Sequence, residues 1–163
     1  MKKWEPLFEG SICKIPLPNN GYALIDAWDY ERVKVYKWSQ NGHGYVHAWD
    51  GKSKKVIKLS RLIMNYPENQ DVDHENHDKL DNRKENLRPC SRSQNEMNLT
   101  GRKNRLGIKG VHEHKDGGFI AQIQVDHKKV YLGSFHDVTD AITARKEAEI
   151  EYHGEFRYKG EQI

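Results

Sequence analysis

Val72-Asp73-His74, Leu80-Asp81-Asn82-Arg83, Glu85-Asn86-Leu87-Arg88 and Ser93-Gln94-Asn95 follow one another in the middle of the chain, and their reading decides the fold. The stretch is poor in apolar residues, with Asn, Asp and His concentrated between Asp73 and Asn82. A segment that can bury so little carbon needs another reason to be ordered, and a bound metal is one. Asp73 and His74 are neighbours in an extended run, so their side chains point to opposite faces. One can hold a cation while the other reaches a water. Ser91 with Gln94 three residues later reads as a capping box that opens a helix through about Asn98, and on that helix Asn95 and Asn98 share a face.

Outward on the N-terminal side, short β-rich runs at Gly21 to Ile25, Gly44 to Trp49 and Lys55 to Leu59 alternate with turn signals at Pro18 to Gly21, Asn41-Gly42 and Asp50-Gly51. Hairpins are expected there, with a short helix between Asp26 and Trp38. Trp28, Trp38 and Trp49 are expected in a hydrophobic core. On the C-terminal side, an acid-free basic stretch from Leu99 to Lys109 reads as a linker. A short strand follows near Val111 to His114. Phe119, Ala121, Ile123 and Val125 then alternate with polar or outward positions, as in a half-buried strand. A tight turn at Asp126-His127 leads to a third strand, Lys128 to Leu132. A helix from about Thr139 to His153 presents Ala141, Ala144, Ala148 and Tyr152 along one side, with Gly154 at its end.

The 163 residues, 36% of them hydrophobic, leave room for two or three small modules. Two cysteines, Cys13 and Cys90, are too few for a disulfide framework or a four-thiolate zinc site. A secretory leader and a membrane-spanning run are not seen, so a soluble, cytoplasmic protein is expected. The net charge of +3 is mild, but its distribution is not even: from Arg88 to Lys109 six basic residues face one acid, Glu96. This strip, with Arg102, Lys103 and Arg105 at its centre, suits contact with a phosphate backbone.

The ordered set from Val72 to Asn98 resembles the HNH endonuclease signature of phage and intron-encoded homing nucleases. In that family an Asp-His pair lies on a strand, an Asn follows in a loop, and a last residue stands on the helix of a ββα-metal fold. The resemblance implies that Asp73 and Asn95 hold one Mg²⁺ or Mn²⁺ per active site, that His74 activates water, and that Asn86 fixes the imidazole. His77 competes for the role of base and reads as a solvated loop histidine. Asn95 stands where the literal His-Asn-His form has its final His, which favours a hard cation over zinc. Ala23 to Asp26, Tyr36 to Trp38 and Arg61 to Met64 also resemble the stretch preceding this motif in phage homing nucleases. Those relatives commonly carry a His where this chain has Ser60.

From about Leu106 to Phe156, Lys109-Gly110-Val111, Phe119 to Ile123, Tyr131 to Phe135 and the Ala-rich helix resemble the DNA-binding domain of plant ethylene-response factors, of APETALA type. The resemblance implies three strands on a helix, with the exposed sheet face in the major groove. The positions that match DNA contacts are Lys109, His112, His114, Gln122, Gln124, Lys129 and Tyr131. Several of these are arginine in the family, so fewer phosphate clamps are expected.

The expected fold is α+β: N-terminal hairpins leading into a ββα-metal nuclease motif, then a small three-stranded sheet on one helix. The expected domains are residues 1–100 for the nuclease, 101–108 for a linker and 109–163 for DNA reading. The function expected is a site-specific, metal-dependent DNA endonuclease of homing type, in a bacterial host cell and encoded by a phage or mobile element. It would act on double-stranded DNA as a monomer that nicks one strand, with no small-molecule cofactor and no membrane. The alternatives are a DNA-binding regulator with a decayed nuclease segment and a non-specific HNH nuclease of defence or restriction.

Overall fold

Alternating burial along Ile12–Pro16 and Tyr22–Asp26 builds the first sheet of the computed structural model, which describes residues 5–65, 70–99 and 104–158. These strands, β2 and β3, pair antiparallel, and β1 (Leu7–Glu9), an edge strand that the turn signals did not reveal, pairs with β2. A 3-10 turn at Ala27–Asp29 runs into the single-turn helix α1 (Tyr30–Val33). A second sheet holds β4 (Ser39–Gln40), β5 (Val46–Asp50) and β6 (Lys55–Lys58) in that order. The expected third run stops at Lys58, because Leu59–Met64 forms a helix, α2, closed by Asn65 in the left-handed region.

Only one of the three tryptophans expected in the core lies there. Trp38 is buried and donates its indole N–H to the Val33 carbonyl at 2.9 Å. Trp49 follows the buried Ala48 and so falls on the outer face of β5, while Trp28 projects from the 3-10 turn; both are exposed. The core is made by Cys13, Ile15, Leu17, Ala23, Ile25 and Val33 together with Leu59, Ile63, Val72 and Leu87. The last two belong to a two-stranded sheet of β7 (Asp71–His74) and β8 (Leu87–Cys90).

By its internal contacts the chain divides into two units, Met1–Ser91 and Arg92–Ile163. The helix after Ser91, α3 (Arg92–Met97), therefore goes with the C-terminal unit, ahead of the expected basic linker. Lys109 Nζ reaches the carbonyls of Met97 and Leu99 at 2.8 and 2.6 Å. Residues 104–108, expected as linker, are packed into this unit. Asn104 donates to the Ile108 and Val111 carbonyls, and Ile108 is buried.

The C-terminal sheet runs β11-β10-β9, with β9 at Val111–Glu113, β10 at Phe119–Val125 and β11 at Lys128–Phe135. Helix α4 (Val138–His153) packs on β10 and β11, capped where the Asp137 side chain accepts from Thr139 N. The molecule is thus α+β. The buried side of α4 is Ala141, Arg145, Ala148, Glu149 and His153, whereas Tyr152 of the expected apolar stripe is exposed.

Gly110 allows Arg145 to lie against the backbone at this point. It has φ +75°, and an added Cβ would meet Arg145 Nε at 2.3 Å and the Gln122 carbonyl oxygen at 2.4 Å. Left-handed strain alone costs on the order of 1–3 kcal/mol. Gly110→Ala is expected to lower the unfolding free energy by at least that much, read from the denaturation midpoint; an unchanged midpoint would contradict the packing described.

Candidate active site

β7 and β8 set the register of the site. Asp73 lies opposite Arg88, and His74 opposite Leu87. The Arg88 guanidinium donates to Asp73 Oδ2 from Nε at 2.9 Å and from Nη2 at 2.7 Å. Both side chains are nearly inaccessible, so this is a buried, charge-assisted pair. Across the strand His74 is also buried, 5% exposed.

The loop between the strands owes its order to its own polar groups. Leu24 N donates to the Leu80 carbonyl and Asn82 N to the Leu24 carbonyl, each at 2.8 Å, so the loop runs beside β3. Lys84 N donates to Asp26 Oδ2 at 2.9 Å. Arg83 forks onto both Asp81 oxygens at 2.8 and 2.7 Å, and Asp78 and Leu80 N–H groups are taken by Asn76 and Asp78 side chains. Asn86, a buried residue, accepts from Asn76 N at 3.0 Å and donates to the Asp81 carbonyl at 2.7 Å. These bonds account for the segment's order, which its composition had suggested a metal would supply.

The side chain found on the imidazole is that of Asn82. Its Oδ1 is 3.2 Å from His74 Nε2, while its Nδ2 donates to the Lys79 and Leu80 carbonyls. Those two carbonyls accept only, so they fix which end of the amide faces His74. An acceptor oxygen there requires the proton on Nε2, leaving Nδ1 as the basic nitrogen. Burial lowers the His74 pKa below 6.5, opposed in part by the Asn82 hydrogen bond and by the charges of Asp73, Asp78 and Asp81.

A testable consequence concerns pH. The folded-state pKa values of His74 and of His153 are both depressed, chiefly by burial. The stability linked to keeping them neutral is fully present above about pH 6.5, the ordinary histidine value, and is lost as pH falls through the folded values. Thermal denaturation from pH 7.5 to 5 is expected to show a falling midpoint, steeper in the wild type than in a His74→Gln variant. Equal slopes would contradict a neutral buried His74.

Beside the imidazole stands an aromatic and cationic group. The Tyr45 ring centroid is 6.1 Å from that of His74, with Lys79 Nζ 4.3 Å and Lys58 Nζ 5.1 Å from the Tyr45 centroid. Burial and the Asp73 and Asp71 charges raise the Tyr45 pKa, so the phenol keeps its proton. Burial likewise pushes the Cys90 thiol up to about 11 and raises that of Cys13, which keeps both cysteines unreactive thiols.

Of the expected site residues, Asp73, His74 and Asn86 come together on β7, β8 and their loop, and Asn95 stands half-buried on α3 in the other unit. Arg102 and Lys103 lie outside the described residues. Arg105 is exposed and pairs with Glu113 at 3.3 Å. Asn82, Arg88, Tyr45, Lys58 and Lys79 were not singled out from the sequence. Arg88 could have been, since pairing the two strands puts it opposite Asp73. The contribution of Tyr45 depends on the second sheet and has no signal in the motif.

In the C-terminal unit the register puts His112 opposite Ile120, Gln122 opposite Tyr131 and Gln124 opposite Lys129. Partners across a ladder share a face, so five of the seven expected contact residues stand together. Gln122 Nε2 donates to His112 Nε2 at 2.9 Å. A bulge between Ala121 and Gln122 shifts β11 by one residue and brings Tyr131 and Ser134 to the same side, where their hydroxyls lie 2.7 Å apart. His114 turns into the hairpin and accepts from Asp116 N at 3.3 Å. Lys109 is engaged with the carbonyls after α3.

The Asp73 carboxylate is an oxygen donor of the kind a hard cation such as Mg²⁺ takes, and its Oδ2 already accepts from Arg88. Among the described residues no group of three His, Cys, Asp or Glu side chains forms a closed metal cage, the arrangement a structural zinc would use. No curated protein and no solved structure matches the chain. Residues 65–97, which contain Asp73, His74, Asn82, Asn86, Arg88 and Asn95, match the family model of the HNH endonucleases and support a nuclease built on this segment.

Proposed function

We propose that the protein is a site-specific DNA endonuclease of homing type, in which His74 is the general base and the C-terminal sheet reads the target. The observation that carries this reading is His74 itself: a buried imidazole below its ordinary pKa, held by Asn82 so that Nδ1 is basic, inside the segment that matches the HNH endonucleases. A base that is neutral at pH 7 and positioned by a hydrogen bond is what deprotonation of water requires. Asn86 acts on the loop that carries Asn82, because its side chain ties Asn76 to Asp81.

Asp73 and Asn95 would hold one Mg²⁺ or Mn²⁺, whose chemistry when bound is to offset charge on the phosphate and on the leaving oxygen. His74 Nδ1 takes the proton from the attacking water, and the Nε2–H bond to Asn82 Oδ1 stabilises the imidazolium that results. Lys58 and Lys79, close to Tyr45 beside the imidazole, supply positive charge for the neighbouring phosphates. The exposed face of His112, Gln122, Gln124, Lys129 and Tyr131 offers donors and acceptors at strand spacing, suited to base edges in the major groove. Among the described residues no helix is long and apolar enough to cross a membrane.

One Asp73-His74-Asn95 set can attack one phosphodiester per binding event, so a monomer nicks. A time course on plasmid carrying the target, with the mass of the protein–DNA complex measured alongside, is expected to give nicked circles first and linear product late, from a one-to-one complex. Concerted linearisation by a two-to-one complex would contradict nicking by a monomer. Cleavage scattered over many sites would favour the non-specific nuclease.

A further inference from the structure

A cleft of about 650 Å³ in the C-terminal unit, lined in part by Lys109, Gly110, Gln124, Arg145 and His153, gathers cationic groups that the cleavage chemistry does not use. Arg145, in the middle of α4, is 2% exposed and the largest of the fully buried side chains. Its Nη1 lies 2.9 Å from Glu149 Oε1, but its Nε has no hydrogen-bond partner among the described residues. That Nε faces Gly110, at the place a Cβ would fill. His153, 5% exposed, gives Nε2 to the Gln124 carbonyl at 2.9 Å, and its Nδ1 is likewise without a partner.

Lys109 adds a second positive charge. Its ammonium has three donors, of which two go to the Met97 and Leu99 carbonyls. Burial, and then the Arg145 charge, lower its pKa to about 8, with Glu149 acting in the opposite direction. Arg145 pairs with Glu149 but its Nε keeps no acceptor among the described residues, and a buried charge short of partners is costly; Glu96 and Asp126 also line the cleft. An anion bound in the cleft would supply both the missing charge and the missing acceptors. His112, Gln122 and Lys129 of the exposed sheet face line the same cleft, so its mouth lies at the edge of that face.

We infer that this cleft is a phosphate-binding site, with Arg145 and Lys109 as its donors and His153 on its wall. A DNA backbone phosphate is one source of that group and free inorganic phosphate another. The first rests on the proposed DNA reading by this unit; the second does not.

The test uses the full chain. Inorganic phosphate is titrated against chloride at constant ionic strength while the Arg145 Nε–H and His153 resonances are followed by NMR. A saturable shift with phosphate and none with chloride is expected; no saturable shift overturns the inference, whatever the DNA results. In parallel, the salt dependence of DNA binding is compared for wild type, Lys109→Gln and the charge-neutral control His153→Gln. A slope reduced by about 0.9 in Lys109→Gln, with no change in His153→Gln, marks loss of one backbone phosphate contact. A phosphate shift with unchanged slopes supports the site with free phosphate as its source. Absence of DNA binding by the wild type would defeat the proposed function, and the phosphate titration would still decide the site.

Discussion

Replacement of His74 by alanine is expected to slow cleavage at least about a hundredfold, since a positioned base contributes on the order of 10² to 10⁴, while affinity for DNA stays close to that of the wild type. The imidazole is buried against Asn82 within the N-terminal unit, whereas the polar sheet face belongs to the C-terminal unit, so the substitution changes no residue of that face. The removed ring also leaves a void beside Tyr45, and the folded fraction must be checked by circular dichroism before rates are compared. Single-turnover cleavage at saturating DNA separates the two effects. A rate within threefold of wild type in the folded variant would remove His74 from the chemistry.

The second large effect is expected at Arg88. Its guanidinium is the partner of a buried carboxylate, and both its donors to Asp73 converge on Oδ2. Breaking a buried pair from one side typically costs about 3–5 kcal/mol, because the remaining charge stays desolvated. Arg88→Met keeps the length of the side chain and removes the charge, so a loss of that size in the urea unfolding free energy is expected. Added Mg²⁺ is expected to restore more stability to this variant than to the wild type if the cation binds Asp73. A loss below about 1 kcal/mol, the size seen for exposed pairs, would contradict the buried pair.

The elements that were legible in the sequence are those whose pattern is local. The alternation from Phe119 to Val125 and the turn at Asp126-His127 define the β10-β11 hairpin, and the Ala-rich run from about Thr139 to His153 defines most of α4. The adjacent Asp73 and His74 on a strand were legible for the same reason. What was not legible depends on tertiary register. Leu59 reads as the end of a strand but opens the helix Leu59–Met64, which packs beside β7. The buried side of α4 carries Arg145, Glu149 and His153, which an apolar periodicity cannot reveal, because Arg145 pairs with Glu149, His153 bonds the Gln124 carbonyl, and Arg145 and His153 line a cleft. The contact of Asn82 with the imidazole follows from the path of a loop pinned to Leu24, a contact from outside the motif.

A metal-dependent nuclease whose base is His74 can be tested by incubating the purified chain with supercoiled plasmid carrying its target, in Mg²⁺ and in chelator, beside the folded His74→Ala variant. Nicked circles are expected from the wild type in Mg²⁺ and from neither the chelated sample nor the variant. Equal nicking in all three, or none by the wild type in Mg²⁺ or Mn²⁺, would contradict it.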